Sequence, residues 1–70
     1  MSWKDYIKEL VKKSGSASWL AKQLGCHRSA VSYWQKGRSV PHVKFWNDLV
    51  TLSHAAGMKY VNLKYLTGLL

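Results

Sequence analysis

Residues 17–36, printed as ASWLAKQLGCHRSAVSYWQK, constrain the fold most because they describe two short helices joined by a tight corner. Ala21 is small at a point where a second helix must approach closely. Gly25 lies where the chain leaves the first helix, and glycine adopts the positive φ of such a turn at little cost. Val31 faces back to close the corner. The segment is therefore predicted to form a helix-turn-helix unit.

The same corner leaves one face of the second helix free of the core, with Arg28, Ser29, Ser32 and Tyr33 on it. An arginine can bond guanine O6 and N7 together, so Arg28 is the leading candidate for base readout, with a phosphate contact as the alternative. The two serines can bond a base or a phosphate. Tyr33 can pack on a thymine methyl, bond a phosphate, or only cover the helix. These features predict a helix that reads the DNA major groove.

The distribution of charge also favours a polyanionic partner. The formal net charge is +8, from 11 Lys and Arg residues against 3 Asp and Glu residues. Every charged residue between Glu9 and Asp48 is basic. Such a segment should create a positive field that attracts nucleic acid, although a merely solvated basic surface is the alternative.

Contacts to the DNA backbone are expected on both sides of the readout helix. Free N–H groups at the start of an α-helix favour anions, which predicts a phosphate seat where the first helix of the unit begins. Basic side chains beyond the readout helix are expected to hold the flanking backbone, which gives affinity and register rather than sequence choice. The predicted phosphate contacts are Ser16, Ala17, Ser18, His27, Lys36, Arg38 and Lys44.

Apolar periodicity and capping residues predict an all-α fold of five helices in a single domain over residues 1–70. The expected helices cover about 3–13, 17–24, 28–36, 41–56 and 62–67. Ser2 and Asp5 form a capping pattern for the first helix, Ser16 caps the second, and Pro41 suits the first turn of the fourth. Val43, Trp46, Leu49, Val50 and Ser53 are expected along one inward side of the fourth helix.

The four tryptophans are expected to pack rather than to stack on bases, with one exception. Trp3, Trp34 and Trp46 lie on predicted inward faces, where core packing is the better interpretation. Trp19 is off the inward stripe of its helix. It is expected either to cover the edge of the core or to contact another protein.

The sequence GCHRSAVSYWQKG at 25–37, followed by Pro41, resembles the third helix and following link of the Cro and lambda-type phage repressors. AGM at 56–58 and YLTG at 65–68 are similar to the ends of that family's last two helices, so the resemblance covers nearly the whole chain. It implies a compact five-helix domain that binds double-stranded operator DNA, usually as a dimer, to regulate transcription. Two residues depart from the family pattern: His27 replaces a frequent Ser or Thr, and Gln35 replaces a frequent Glu.

A homodimer contact is expected at the end of the chain. Leu66, Leu69 and Leu70 leave apolar surface that one short helix cannot fully hide. The alternative is that these leucines fold back onto the core. A small interface would be weak, so pairing is expected either in free solution or only on DNA.

Several classes of function are disfavoured. A lone Cys26 rules out an internal disulfide, and neither a signal peptide nor a membrane span is evident, so a cytoplasmic protein, acting at bacterial DNA, is expected. His27, His42 and His54 make no metal pattern with one cysteine. Cys26 beside His27 lacks a third orienting group for nucleophilic catalysis. We therefore expect no enzyme, no metal, no cofactor, no small-molecule ligand and no membrane partner.

The preferred hypothesis is a Cro-like phage or prophage repressor, a transcription regulator that excludes polymerase from a promoter. Within DNA binding, the alternatives are an antitoxin, which should carry an added toxin-binding segment, or an excision-directing factor. From another class, the chain could be a protein-interaction domain derived from the same fold. The basic readout helix argues against that last alternative.

Overall fold

The first helix forms the centre of the core, and the following helices pack around it. The computed structural model describes residues 2–70, and Met1 lies outside the described part. The elements are α1 (Trp3–Ser14), α2 (Ala17–Leu24), α3 (Arg28–Gln35), a single 3-10 turn (Val43–Phe45), α4 (Trp46–Ala55) and α5 (Leu63–Gly68). α1 packs against both α2 and α3, while α4 contacts α5. The described residues contain five α-helices and no strand, so the all-α prediction is confirmed.

Polar side chains fix the starts of three helices. The Ser2 hydroxyl accepts a hydrogen bond from the Asp5 backbone N–H, and Ser16 does the same for Trp19 at 3.0 Å. Asn62 Oδ1 accepts from the Tyr65 N–H at 2.7 Å. Each cap satisfies a donor that has no partner within the helix. The predicted starts of α1 and α2 are therefore confirmed.

The core is formed by one side of every α-helix and by two loop residues. Its buried apolar members are Trp3, Tyr6, Ile7, Leu10, Leu20, Ala21, Leu24, Val31, Trp34, Leu49, Met58, Val61 and Leu66. Trp46 is half-buried and packs on Trp3 with ring centroids 5.6 Å apart. Trp3, Trp34 and Trp46 are thus packing residues, as predicted.

One polar contact inside the core joins two helices that are far apart in the sequence. The Tyr6 hydroxyl lies 2.6 Å from Ser53 Oγ, and both residues are fully buried. Burial raises the pKa of Tyr6 to about 12. The contact links α1 to α4.

The predicted start of the fourth helix is wrong. An α-helix beginning at Pro41 would need the Pro41 carbonyl to accept from the Phe45 N–H. Instead, the Phe45 N–H donates to the His42 carbonyl at 2.9 Å. The Trp46 indole N–H donates to the Pro41 carbonyl at 3.1 Å. The chain therefore makes a 3-10 turn first, and α4 starts at Trp46. Val43, predicted inward, is 62% exposed.

The loop between α4 and α5 contributes two core residues that helical periodicity did not predict. Gly57 has a φ of 88°, and Met58 N–H bonds back to the Ser53 carbonyl at 2.8 Å. This closure turns Met58 into the core, as is common for an apolar residue just after such a glycine. Val61 follows it inward, where its carbonyl accepts from His54 Nε2 at 2.6 Å.

Candidate nucleic-acid interface

α2 ends in a Schellman motif, which forms the corner between α2 and α3. Gly25 has a φ of 72°, its N–H bonds the Lys22 carbonyl at 3.3 Å, and the Cys26 N–H bonds the Ala21 carbonyl at 3.0 Å. These two bonds satisfy carbonyls that would otherwise be free at the end of α2. Ala21 is 3% exposed and Val31 is fully buried. The three residues predicted to set this corner occupy it as expected.

α3 divides its residues between a buried face and an open face. Val31 and Trp34 are buried in the core. Arg28 and Ser29 are exposed, and Tyr33 is 47% exposed. Helical spacing places these three on the side away from the core. The open face therefore holds a cation, a hydroxyl and an aromatic ring within reach of a ligand.

Ser32 is less accessible than its neighbours on that face. Its side chain is half-buried, whereas the sequence places it fully outward. It lies one turn after Arg28 on the same side of α3. A short hydroxyl there reaches less far than Arg28 or Tyr33.

His27 caps α3 through its ring. The Ser29 backbone N–H donates to His27 Nδ1 at 3.1 Å, so Nδ1 carries no proton. The Ser29 hydroxyl lies 2.8 Å from the same nitrogen and donates to it. In the neutral ring, Nε2 then holds the proton. His27 thus leaves an N–H donor, and Ser29 leaves acceptor lone pairs, on the exposed start of the helix.

The end of α3 is closed in the same way as the end of α2. Gly37 has a φ of 75°, and the Arg38 N–H bonds the Tyr33 carbonyl at 3.0 Å. This bond fixes the backbone of Arg38 relative to α3. Lys36 and Arg38 are both exposed. Two cations therefore extend from the C-terminal end of α3.

Lys44 is tied to α3 through an aromatic pair. Its Nζ lies 5.2 Å from the centroid of the Phe45 ring, and the Phe45 ring lies 5.9 Å from that of Trp34. A cation over an aromatic face is attracted by the ring. His42 Nδ1 accepts from the Lys44 N–H at 3.0 Å and holds the backbone there. Lys44 is therefore near the C-terminal half of α3.

The start of α2 offers backbone donors. Ser16 Oγ is occupied by its cap to the Trp19 N–H. The first N–H groups of an α-helix have no partner within it, which leaves the amides of Ala17 and Ser18 for an anion. Ala17 is half-buried and Ser18 is exposed. The arrangement suits a phosphate oxygen better on the amides than on the Ser16 hydroxyl.

Two of the three acidic side chains are engaged by hydroxyl groups away from α3. The Ser2 hydroxyl donates to Asp5 Oδ2 at 3.2 Å. The Tyr60 hydroxyl donates to Glu9 Oε2 at 3.0 Å. Asp48 lies in the first turn of α4, where its charge is favourable to the helix dipole. None of these contacts places a carboxylate beside the basic residues of α3.

The three predicted dimer residues differ in their exposure to solvent. Leu66 is fully buried, so its predicted role in an interface is wrong: α5 folds this leucine back onto the core. Leu69 is half-buried and lines a cleft of about 320 Å³ together with Trp3 and Val40. Leu70 is 76% exposed. Only the last two leucines remain available to a second copy.

Cys26 and Trp19 can be assigned from their surroundings. Burial raises the pKa of the Cys26 thiol, which is the opposite of what activates a nucleophile. Trp19 is 40% exposed and borders a cleft of about 280 Å³ with Leu52 and Ala56. This position agrees with both expectations for Trp19, cover of the edge of the core and contact with another protein.

Within residues 2–70, no three His, Cys, Asp or Glu side chains are grouped closely enough to hold a metal ion. No helix in the same range has both the length and the apolar character needed to cross a bilayer.

The chain was compared with known proteins in three ways. A scan against protein-family models, a search of curated proteins and a search of solved structures each found no match.

Proposed function

We propose that this protein is a sequence-specific double-stranded DNA-binding regulator of transcription, with a lambda-repressor-like helix-turn-helix formed by α2 and α3. In this proposal α3 enters the major groove. An α-helix with its side chains is about 10–12 Å in diameter, which fits a major groove about 12 Å wide. The 8 residues of α3 extend about 12 Å along the helix axis.

The division of α3 into two faces is the observation that carries the proposal. Val31 and Trp34 anchor the helix in the core, so its outward side chains are displayed from a rigid support. Arg28 extends from the first turn, where a readout helix comes nearest to the base edges. Ser29 contributes acceptor lone pairs, which match the amino groups of adenine and cytosine.

The flanking groups support the same orientation. Lys36, Arg38 and Lys44 follow α3, while the amides of Ala17 and Ser18 lie at the start of α2. Contacts from both sides of a readout helix fix its register on the duplex without selecting a sequence.

We further propose that two copies bind together as a Cro-like repressor does. One α3 reads only a few base pairs, so a pair of copies on half-sites about 34–36 Å apart would give a sharper operator. Leu69 and Leu70 are the proposed contact. The dimer would block polymerase by occupying a promoter, and pairing would be completed on DNA because the interface is small.

Selection of bound sites from a random duplex pool tests this function. The expected result is an enriched motif with two-fold symmetry. Binding should also weaken steeply with salt, because each phosphate contact contributes about −0.9 to the slope of log affinity against log salt concentration. A pool that shows no enrichment, together with a salt-independent affinity, would refute the proposal and favour a protein-interaction domain.

A further inference from the structure

We propose that the outer face of α1 is a second DNA-binding surface, which allows one domain to hold two duplex segments. The surface consists of Lys4, Lys8 and Lys12, and we call it the lysine stripe. None of its three lysines is among the contacts assigned to α3, and it does not require that α3 read a specific sequence. Its ligand is the phosphate backbone of a second duplex.

The spacing of these residues places them along one side of the helix. Lys4, Lys8 and Lys12 follow one another at intervals of four residues, and all three are exposed. Residues four apart are neighbours on a helix surface. With a rise of about 1.5 Å per residue, the stripe is about 12 Å long, which equals the rise of three to four nucleotides, at about 3.4 Å each, along one DNA strand.

Like charges dominate the outer face of α1. Lys4 and Lys8, and Lys8 and Lys12, are four residues apart, a spacing at which like charges destabilise a helix. Asp5 and Glu9 lie three residues before Lys8 and Lys12 and offset part of this repulsion. α1 carries four lysines against these two acids, so a bound polyanion would relieve the repulsion that remains.

The stripe faces a different side of the molecule from the readout face. Ile7 and Leu10 are buried on α1, and Val31 and Trp34 are buried on α3, where the two helices pack together. Their outward faces consequently point away from each other. We therefore assign the stripe to a second segment rather than to the duplex at Arg28.

The surroundings favour a nucleic acid over a protein as the ligand. Lys8 and Lys12 line an open cleft of about 510 Å³ whose other lining residues are Glu9 and Lys13. Protein interfaces depend on buried apolar or aromatic anchors, and this cleft supplies none. At the other end of the stripe, the methylene groups of Lys4 lie beside Gly37, where a Cβ atom would be 3.4 Å from them. The stripe thus begins next to the cationic end of α3.

A bridging experiment tests the proposal with the full chain. One duplex of mixed sequence, about 30 base pairs or three helical turns long, is fixed to beads, and capture of a second, labelled duplex is measured with and without protein. The test variant is K4Q/K8Q/K12Q. The matched control is K22Q/K59Q/K64Q, which removes the same charge from the net +8 of the chain. Circular dichroism establishes that both variants fold, and K8Q/K12Q is the substitute if the triple variant does not.

The expected result is that wild-type protein captures the second duplex and that K4Q/K8Q/K12Q loses about ten-fold or more of this capture, because three phosphate contacts are removed. The matched control should retain capture within about two-fold, and binding to a single duplex should persist in both variants. Equal loss in the two variants, or capture that survives in K4Q/K8Q/K12Q, would overturn the proposal. A wild-type protein that binds one duplex without bridging would also overturn it and leave the proposed function intact. Bridging without any enriched site would support the stripe and refute sequence-specific reading.

Discussion

At the scale of single residues, the start of α3 combines a structural cap with the residues proposed to contact DNA. His27 receives the Ser29 N–H through Nδ1, so its ring replaces the hydroxyl that usually caps a helix. Arg28 follows immediately and is exposed. The stability of the helix and the chemistry of the site can therefore be separated by substituting these two neighbours.

We predict that His27→Ala lowers the free energy of unfolding by about 1 kcal/mol, because a helix donor loses its acceptor. His27→Ser should retain the wild-type stability, since a serine hydroxyl caps in the same place. Urea denaturation of the three proteins measures the difference. Equal stability of the alanine and serine variants would show that the ring contributes nothing as a cap.

We predict that Arg28→Ala lowers affinity for the selected site by about 1–3 kcal/mol and relaxes preference at one base pair in each half-site. Affinities for selected and random duplexes, measured at one salt concentration, provide the test. Arg38→Ala is the control and should weaken both duplexes alike. If Arg28→Ala also weakens both alike, Arg28 holds the backbone and does not read a base.

At the scale of elements, the sequence predicts a helix boundary correctly where a capping residue or a glycine marks it. α1, α2 and α3 have serine caps or glycine stops that can be recognised from sequence, and their bounds agree with the expectation to within a residue or so. The start of α4 differs because the Trp46 indole competes for the Pro41 carbonyl. That contact depends on the packing of Trp46, which periodicity does not describe.

Tertiary packing also explains what could not be predicted in the loops and at the candidate site. Met58 and Val61 are buried in a segment without helical period, and only the glycine before Met58 gave a local signal. Leu66 and Leu70 are both leucines in the last five residues, yet Leu66 is fully buried and Leu70 is 76% exposed. The partial burial of Ser32 likewise reflects its neighbours rather than its own residue type.

We predict that Gly25→Ala destabilises the protein by about 1–2 kcal/mol, because an L-residue at positive φ brings its Cβ close to the backbone. Beyond Gly25 and its chain neighbours, no atom lies within 4 Å of a Cβ built at Gly25, so local backbone strain is the expected cost. Gly68→Ala is the control, since Gly68 has no positive φ and equally open surroundings. Thermal denaturation should show a lower Tm for the first variant and an unchanged or higher Tm for the second.

At the scale of the whole molecule, the Tyr6–Ser53 hydrogen bond connects α1 to α4 inside the shared core. Burial holds the tyrosine neutral and raises its pKa from 10.0 to about 12. The unfolded chain ionises first, so this contribution is complete below about pH 10 and is lost as the pH rises through about 12.

We predict that unfolding becomes easier between pH 10 and 12, with a contribution from Tyr6 on the order of 2 kcal/mol. The double variant Tyr6→Phe/Ser53→Ala removes both partners and should show a shallower decline over the same range. Urea titrations at several pH values compare the two proteins, and the shared lysines and remaining tyrosines cancel in the difference. Parallel curves would contradict the assignment.

The proposed pairing of two copies also belongs to this scale. We predict that Leu70→Ser reduces cooperative binding to a symmetric operator about ten-fold, a loss of about 1.4 kcal/mol, and leaves the helical content unchanged because the side chain is exposed. Binding to an isolated half-site should be retained. Gel-shift titrations on full and half operators make the comparison, and undiminished cooperativity would place the contact elsewhere.

The two-faced construction of α3 has a consequence for how such a protein changes over generations. Val31 and Trp34 hold the helix in place, while Arg28 and Tyr33 are exposed and belong neither to the His27 cap nor to the buried core. Surface substitutions away from caps and core usually alter stability by less than about 0.5 kcal/mol. On the proposed function, the positions that choose the operator are thus the ones that mutation can alter with the least harm to folding. A lineage carrying this domain can acquire a new binding site through single codon changes and keep the same scaffold throughout.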